Sequence, residues 1–379
     1  MPPCSHARQH EDRTGPKTRP LIIPLIGLLF FLHGCFETPP ILMSCEDSMG
    51  IHAVCGLQNP EDLALLPDGE HVIVSQFGLM DGSQSGSLGI FDLASEDFRV
   101  VYPVAQSGDR VATNSWGEPR CPGPPGEAFS PHGLDLAPRP DGALRLLVVN
   151  HGGRESVEFF EVGTELGEPT LTWKGCALPP ENSALNDVVS LPDGGFLTTH
   201  MFPLDNQGLG TFEAALGLDT GVVLEWHPGQ EWREVPGTRA PFPNGIELSD
   251  DGRTIFLNAY MAGEVRKIDR ITGEGLGTAD VDSPDNSSWS RAGSLWVASH
   301  EGGLTDHANC YGLTEGACPM AFKIVAIDPD SMQVETVFWN EGPPMGAGTI
   351  ALDLESEILI GSFAGDRMIR VPRASGVNR

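Results

Sequence analysis

Apolar residues along this chain fall into short runs, rich in Val, Ile and Leu and bounded by Gly, Pro, Asp and Asn. Residues 71–75, 144–150, 195–199, 254–258, 294–299 and 358–361 are such runs, each standing just after a turn. Runs this short, with β-branched residues inside and turn formers outside, predict strands. Residues 61–66 predict a strand on the near side of the first turn, and 87–92 with 98–102 a hairpin beyond it. Third and fourth strands of the same kind are expected at 264–268, at 323–327 followed by 334–338, and at 368–371.

Seven to nine residues ahead of each turn stands a polar pair. The pairs are Glu61-Asp62, His132-Gly133, Asn186-Asp187, Asn244-Gly245 and Asp285-Asn286, with a degenerate sixth at Gly348-Thr349. They recur roughly every 40 to 70 residues, a period that marks an array of supersecondary units. Six units of four strands predict an all-β fold, a six-bladed β-propeller with four-stranded blades around a central channel. The sixth unit runs short of strands at its C-terminal end, so the segment 40–54 is expected to complete its sheet and hide the open edge. The expected plan is 1–35 as an export signal, 36–57 as the closing segment, 58–372 as the propeller and 373–379 as a tail.

In such a blade the innermost strand starts at one mouth of the channel, and the loop between the second and third strands returns to that mouth. The polar pairs therefore converge on one funnel, and His151, just after 144–150, turns towards His132 in its own blade. His200 and His300 end their second strands likewise and are expected in the pocket wall. Glu61 and Asp285 bring carboxylates to this mouth, while Asn186, Asn244 and Asn286 bring side-chain amides. A ring of oxygens suits Ca2+, a hard cation, whereas zinc and copper favour imidazole and thiolate. Singly, each Asn or Asp is an ordinary turn or cap residue; the register of all five points to calcium.

Composition narrows the classes. The 379 residues include 46 Gly and 32 Pro, which suits one large turn-rich domain. A net charge of -29 excludes a nucleic-acid partner, since a polyanion binder needs a basic face. At the N-terminus, Arg8, Arg13, Lys17 and Arg19 precede an apolar run over 21–32 that is too short for a comfortable span and reads as an export signal. It ends Leu32-His33-Gly34-Cys35, which resembles the lipobox of bacterial lipoproteins. Cys35 is then the expected lipidated residue, and the protein belongs to the cell envelope with a membrane contact through its lipid anchor only. Six further cysteines read as disulfides of an exported chain. Cys121 and Cys176 occupy equivalent loops of neighbouring units, Cys310 and Cys318 share one loop, and Cys45 and Cys55 share the N-terminal segment.

The motifs Pro60-Glu61-Asp62, Ser130-Pro131-His132-Gly133-Leu134, Leu147-Val148-Val149-Asn150-His151, Leu185-Asn186-Asp187, Pro243-Asn244-Gly245-Ile246 and Asp285-Asn286 carry a family likeness. From about residue 60 to 371 the chain resembles the paraoxonase and arylesterase family, within the wider gluconolactonase and senescence-marker superfamily of six-bladed propellers. The resemblance implies that Glu61, Asn186, Asn244, Asp285 and Asn286 hold a catalytic calcium. It also implies that Asp62, Asp187 and the main-chain carbonyl of Leu134 hold a second, structural one, and that His132 and His151 form a histidine dyad. The activity implied is hydrolysis of a small-molecule lactone or ester, with calcium polarising the carbonyl and the dyad activating water. The long loops 201–220 and 301–321 are expected to form a lid or shape the pocket.

Two other readings share these residues. A sugar-lactone hydrolase of the gluconolactonase kind needs the metal but no dyad. A non-catalytic envelope propeller, acting as a binding or scaffold module, uses the calcium for stability alone.

Overall fold

Each apolar run pairs with its neighbour in chain order, so the strands gather into six antiparallel sheets of four. The computed structural model of the chain describes residues 39–79, 82–103 and 115–373. The export signal with Cys35, residues 36–38 and the tail from 374 lie outside the described residues. The innermost strands are Pro60–Leu65, Pro131–Pro138, Ser183–Ser190, Pro243–Leu248, Pro284–Trp289 and Gly348–Leu354. Each touches the next around a ring, and the last touches the first, which is the expected six-bladed β-propeller. Among the described residues the only α-helices are Gln207–Ala215 and Leu304–Cys310, one in each of the two long loops.

Closure of the ring comes from the front of the chain. His52–Cys55 forms the outer strand of the sixth sheet, pairing His52 with Arg370 and Cys55 with Arg367. The strand is shorter than the 40–54 segment expected for it, because the residues before it are held differently. Arg367 is fully buried, and its guanidinium donates to the main-chain carbonyls of Leu42, Ser44 and Pro344. Leu42 also pairs with Ala317, which itself bridges to Gly365.

The core lies between blades as much as within them. Phe159, Phe196 and Trp226, from the second and third blades, pack as one aromatic cluster with centroids 5.2 to 5.9 Å apart. Burying side chains of this size stabilises by about 1.5–3 kcal/mol each. Every junction between innermost strands also carries a polar link. Asp62 accepts from Leu134 N–H at 2.6 Å, Asp135 from Ser190 N–H at 2.9 Å and Asp187 from Ile246 N–H at 2.9 Å. Trp289 donates its indole N–H to the Leu248 carbonyl at 3.0 Å, and Asp353 accepts from Arg291 N–H at 3.0 Å. Thr349 then closes the circle by donating to the Glu61 carbonyl at 2.6 Å. Disulfides join Cys45 to Cys55, Cys121 to Cys176 and Cys310 to Cys318, the pairs that shared or equivalent loops indicate.

Arg367→Met keeps the aliphatic stem but strips the Ser44 and Pro344 carbonyls of their donor and leaves the Leu42 carbonyl with Ala317 N–H alone. Losing one buried and two part-buried hydrogen bonds predicts a loss of roughly 2 kcal/mol, read as a lower denaturant midpoint with an unchanged slope. A midpoint equal to that of the parent protein would show that the closing segment is held by its strand pairing alone.

Candidate active site

A strand normally sends successive side chains to opposite faces, so two adjacent polar residues cannot both serve a channel without a break in register. All six innermost strands contain that break, and at the polar pair each time. Pairing slips between Pro60 and Asp62, Pro131 and Leu134, Leu185 and Val188, Pro243 and Ile246, Pro284 and Ser287, and Gly348 and Ala351. Such bulges re-aim side chains. In five blades the residue just before the innermost strand is also left-handed: Asn59, Asn182, Phe242, Ser283 and Ala347, with φ from 37° to 69°. The backbone thus turns sharply into the channel. Gly133 is required at its bulge, since a Cβ there would lie 2.5 Å from Oδ1 of Asp187.

The oxygens so gathered are unpaired. Oε2 of Glu61 and Oδ1 of Asn186, Asn244 and Asn286 are buried with no hydrogen-bond partner among the described residues. The amide nitrogens, by contrast, are used: Asn286 donates to Oε1 of Glu61 at 2.8 Å and Asn186 to the Met201 sulfur at 3.4 Å. Asp285, also buried, sits beside Asn244 and Glu61. Orphaned buried polar atoms are rare, and four oxygens at one spot are a donor set for a hard cation. Among the described residues no trio of His, Cys, Asp or Glu alone is arranged to hold a metal ion. Asp62 and Asp187 differ, because each of their carboxylate oxygens already accepts one main-chain N–H. Burial, and then the charge of neighbouring carboxylates, pushes the carboxyls of Asp62, Asp187 and Asp285 well above the usual range.

Beside the ring stands the histidine pair. Nδ1 of His132 lies 2.9 Å from Nε2 of His151, and Nε2 of His132 lies 3.5 Å from Oε1 of Glu61. Phe77 packs edge-on against His132, with centroids 5.0 Å apart, and at 5.6 Å from His151. The far nitrogen of His151, Nδ1, is 2.7 Å from Oε1 of Glu155. Burial alone would lower the His151 pKa, but the charge and hydrogen bond of Glu155 outweigh it and raise it.

Above the ring opens a cavity of about 730 Å³. Glu61, His132, His151, Asn186, Asn244 and Asp285 line its floor and one wall. On its other side Tyr260 Oη lies 2.9 Å from Nδ1 of His300 and 3.0 Å from Nε2 of His307, and Nε2 of His300 lies 3.0 Å from the Gly348 carbonyl. Both long loops contribute, with Gln207 and Thr211 from one helix and His307 and Tyr311 from the other loop. His300 is in the wall as expected, but His200 is not. The second strand of blade three, Phe196–Pro203, runs three residues past His200, and the pairing carries an added slip between Ala184 and Leu185. Met201 and Phe202 therefore face the cavity, while His200 lines a separate cleft of about 310 Å³ and accepts from Ala184 N–H at 3.2 Å.

Three further residues at the cavity carry no mark in the repeat pattern as read from sequence: Glu155, Tyr260 and His307. Tyr260 had a usable signal, since it follows its second strand, Thr254–Ala259, as His151 follows Leu144–Asn150. Glu155 stands four residues after His151 across a Gly-Gly pair, a spacing that lets a turn bring the two together. His307 depends on a loop helix that no spacing foretold.

A model of the arylesterase family matches residues 58–367. Human serum paraoxonase/arylesterase 1 is 26% identical over 347 residues, covering 87% of this chain and 90% of that protein. Human serum paraoxonase/arylesterase 2 is 25% identical over 246 residues, 62% of this chain and 67% of that protein. Among solved structures, a gluconolactonase from Xanthomonas campestris superposes with a TM-score of 0.50 at 14% identity, covering 89% of this chain and 95% of its own, a likeness of fold.

The three raised carboxyls bind more protons folded than unfolded. The stability they contribute is therefore present below the ordinary carboxylate pKa, about 4, and is lost as pH rises through their folded values. In chelator the protein is expected to melt at a lower temperature near pH 8 than near pH 5, and added calcium to remove most of that difference. A melting temperature in chelator that rises or stays level across this range would mean that the carboxyls do not share one buried field.

Proposed function

The chain belongs to the arylesterase family, and from that premise we propose that it hydrolyses lactones or esters in the cavity above the oxygen ring, with His132 as general base. The observation that carries this reading is a meeting at one point: unpaired buried oxygens on the floor, and beside them the one nitrogen of His132 that His151 does not engage. Through those oxygens Glu61, Asn186, Asn244, Asp285 and Asn286 would hold a calcium ion, which when bound polarises a carbonyl and stabilises charge on its oxygen. Asp62, Asp187 and the Leu134 carbonyl would hold a second, structural calcium through lone pairs their N–H bonds leave free. His132 accepts a proton at Nε2 from the attacking water and passes one from Nδ1 to Nε2 of His151. Phe77 packs against both rings and helps hold their mutual orientation.

The walls favour one substrate class. Phe77, Met201, Phe202, Phe242, Met261 and Phe363 offer apolar surface to an alkyl or aryl group. A polyhydroxylated sugar lactone would leave its hydroxyls facing those side chains, so aliphatic lactones and aryl esters fit better than the gluconolactonase alternative. A purely structural calcium would give the hydrogen-bonded histidine pair no task. Three disulfides suit an oxidising compartment outside the cytosol, in keeping with export and a lipid anchor at Cys35.

Signal-free protein is expected to turn over aliphatic lactones and phenyl acetate with calcium and to stop after chelation. His132→Ala should lower kcat by about 10²–10⁴-fold with KM little changed. Turnover of sugar lactones alone, indifferent to His132→Ala, would favour the gluconolactonase reading. No turnover of lactones, aryl esters or phosphotriesters by calcium-loaded protein would end the hydrolase reading.

A further inference from the structure

The loop between the second and third strands of blade two is built to hold two side chains, not one. Asn150, fully buried, accepts from Ser130 N–H and Gly152 N–H at 3.0 Å each. Its Nδ2 donates to the carbonyls of Gly152 and Arg154 at 3.2 and 3.0 Å. A Cβ on Gly152 would fall 1.5 Å from the Ala128 carbonyl oxygen, so only glycine lets the turn sit there. The fixed turn carries His151 at its start and Glu155 at its end. Glu155 spans two partners: Oε1 reaches Nδ1 of His151 at 2.7 Å, and Oε2 accepts from Leu185 N–H at 3.3 Å, the residue before Asn186 of the oxygen ring.

An ionised carboxylate only accepts hydrogen bonds, and each neutral imidazole has one donor and one acceptor nitrogen. Nδ1 of His151 must therefore carry the proton that Glu155 accepts, which leaves its Nε2 bare. That bare nitrogen faces Nδ1 of His132, so Nδ1 of His132 is the donor there, and Nε2 of His132 keeps its lone pair at the cavity, 3.5 Å from an Oε1 of Glu61 that already accepts from Asn286. We propose that Glu155 is a positioning residue that sets the tautomers of both histidines and so makes Nε2 of His132 the base. This rests on the hydrolase reading only for its consequence in catalysis; the tautomers stand apart from it. When Nε2 of His132 takes a proton from water, its Nδ1 proton moves to Nε2 of His151. The positive charge then rests on His151 beside Glu155. The other charged groups near the pair are Glu61 on the neighbouring blade, and Arg154, which turns away to Glu158 at 2.7 Å. A carboxylate that orients a histidine in this way is worth several powers of ten in serine hydrolases, where the matching amide reverses the tautomer.

The test is Glu155→Gln in calcium-loaded full-length protein, read by ring 15N chemical shifts of His132 and His151 and by kcat and KM for phenyl acetate and an aliphatic lactone. Wild type is expected to show Nε2 of His132 unprotonated at neutral pH. In the variant the amide N–H faces Nδ1 of His151, both tautomers reverse, Nε2 of His132 becomes protonated, and kcat falls by about 10²–10⁴-fold with KM within about threefold. Glu155→Asp keeps the acceptor and should keep the wild-type tautomers with much of the activity. A protonated Nε2 of His132 in wild type, or unchanged tautomers in Glu155→Gln, would overturn the proposal, and the first needs no variant to fold. Reversed tautomers in a protein that hydrolyses nothing would uphold it and sink the hydrolase reading instead.

Discussion

Four carboxylates, Glu61, Asp62, Asp187 and Asp285, stand buried in one channel where water cannot screen them, and the rest of the structure answers to that constraint. Like charges within a few ångströms in a low-dielectric interior repel by several kcal/mol, so each group must be protonated, bonded or matched by a cation. Asp62 and Asp187 are bonded: each accepts a main-chain N–H from its own strand and another from the next blade. Their acidity is thereby turned into the links that hold innermost strands side by side. Glu61 remains incompletely met at Oε2, and so do the amide oxygens around it, while Asp285 is met by Asn244 and lies 3.5 Å from Nε2 of His300. Asp62 and Asp187 thus tie innermost strands together, while Glu61 keeps an oxygen free at the cavity.

Placing so many polar side chains on the inside of a β structure needs a backbone that departs from regular pairing. Six bulges in register supply the departure, and five left-handed residues before them set the angle. Each non-glycine residue in that region costs of order 1–3 kcal/mol, and Phe242 and Ala347 lack the side-chain oxygen that eases it for Asn. The offset comes from the large apolar interfaces between blades, where aromatic side chains such as Phe159 pack from one sheet onto Phe196 and Trp226 of the next. Strain is thus concentrated at the channel mouth while stability is spread around the ring.

The repeated polar pairs and their distance to the following turn made the blades and the converging mouth legible, because strand length and turn chemistry are local properties. The bulges were not legible, since a slip in register is decided between strands and leaves no composition behind. His200 shows the consequence: its place at the end of an apolar run matched that of His300, yet one added slip and two more paired residues turned it into another cleft. Glu155 escaped for the opposite reason. Its partner, His151, is four residues away, but what brings them together is the buried side chain of Asn150, which sequence presents only as one more polar residue before a turn.

Closure of the propeller and the shape of the cavity are one mechanical problem. Ala317 bridges to Leu42 of the closing segment and to Gly365 of the last blade, and Arg367 holds Leu42 from beneath. The same loop carries the Cys310–Cys318 disulfide and the helix bearing His307, which meets Tyr260 and stacks on Phe363 at 6.1 Å. Any loosening of the N-terminal segment therefore reaches the wall opposite the histidine pair without crossing the oxygen ring. The floor is fixed by inter-blade bonds that do not involve this loop. Wall and floor consequently answer to different restraints and meet at one contact, Nε2 of His300 with Oδ2 of Asp285 at 3.5 Å, through which a change in the closing segment would reach the ring.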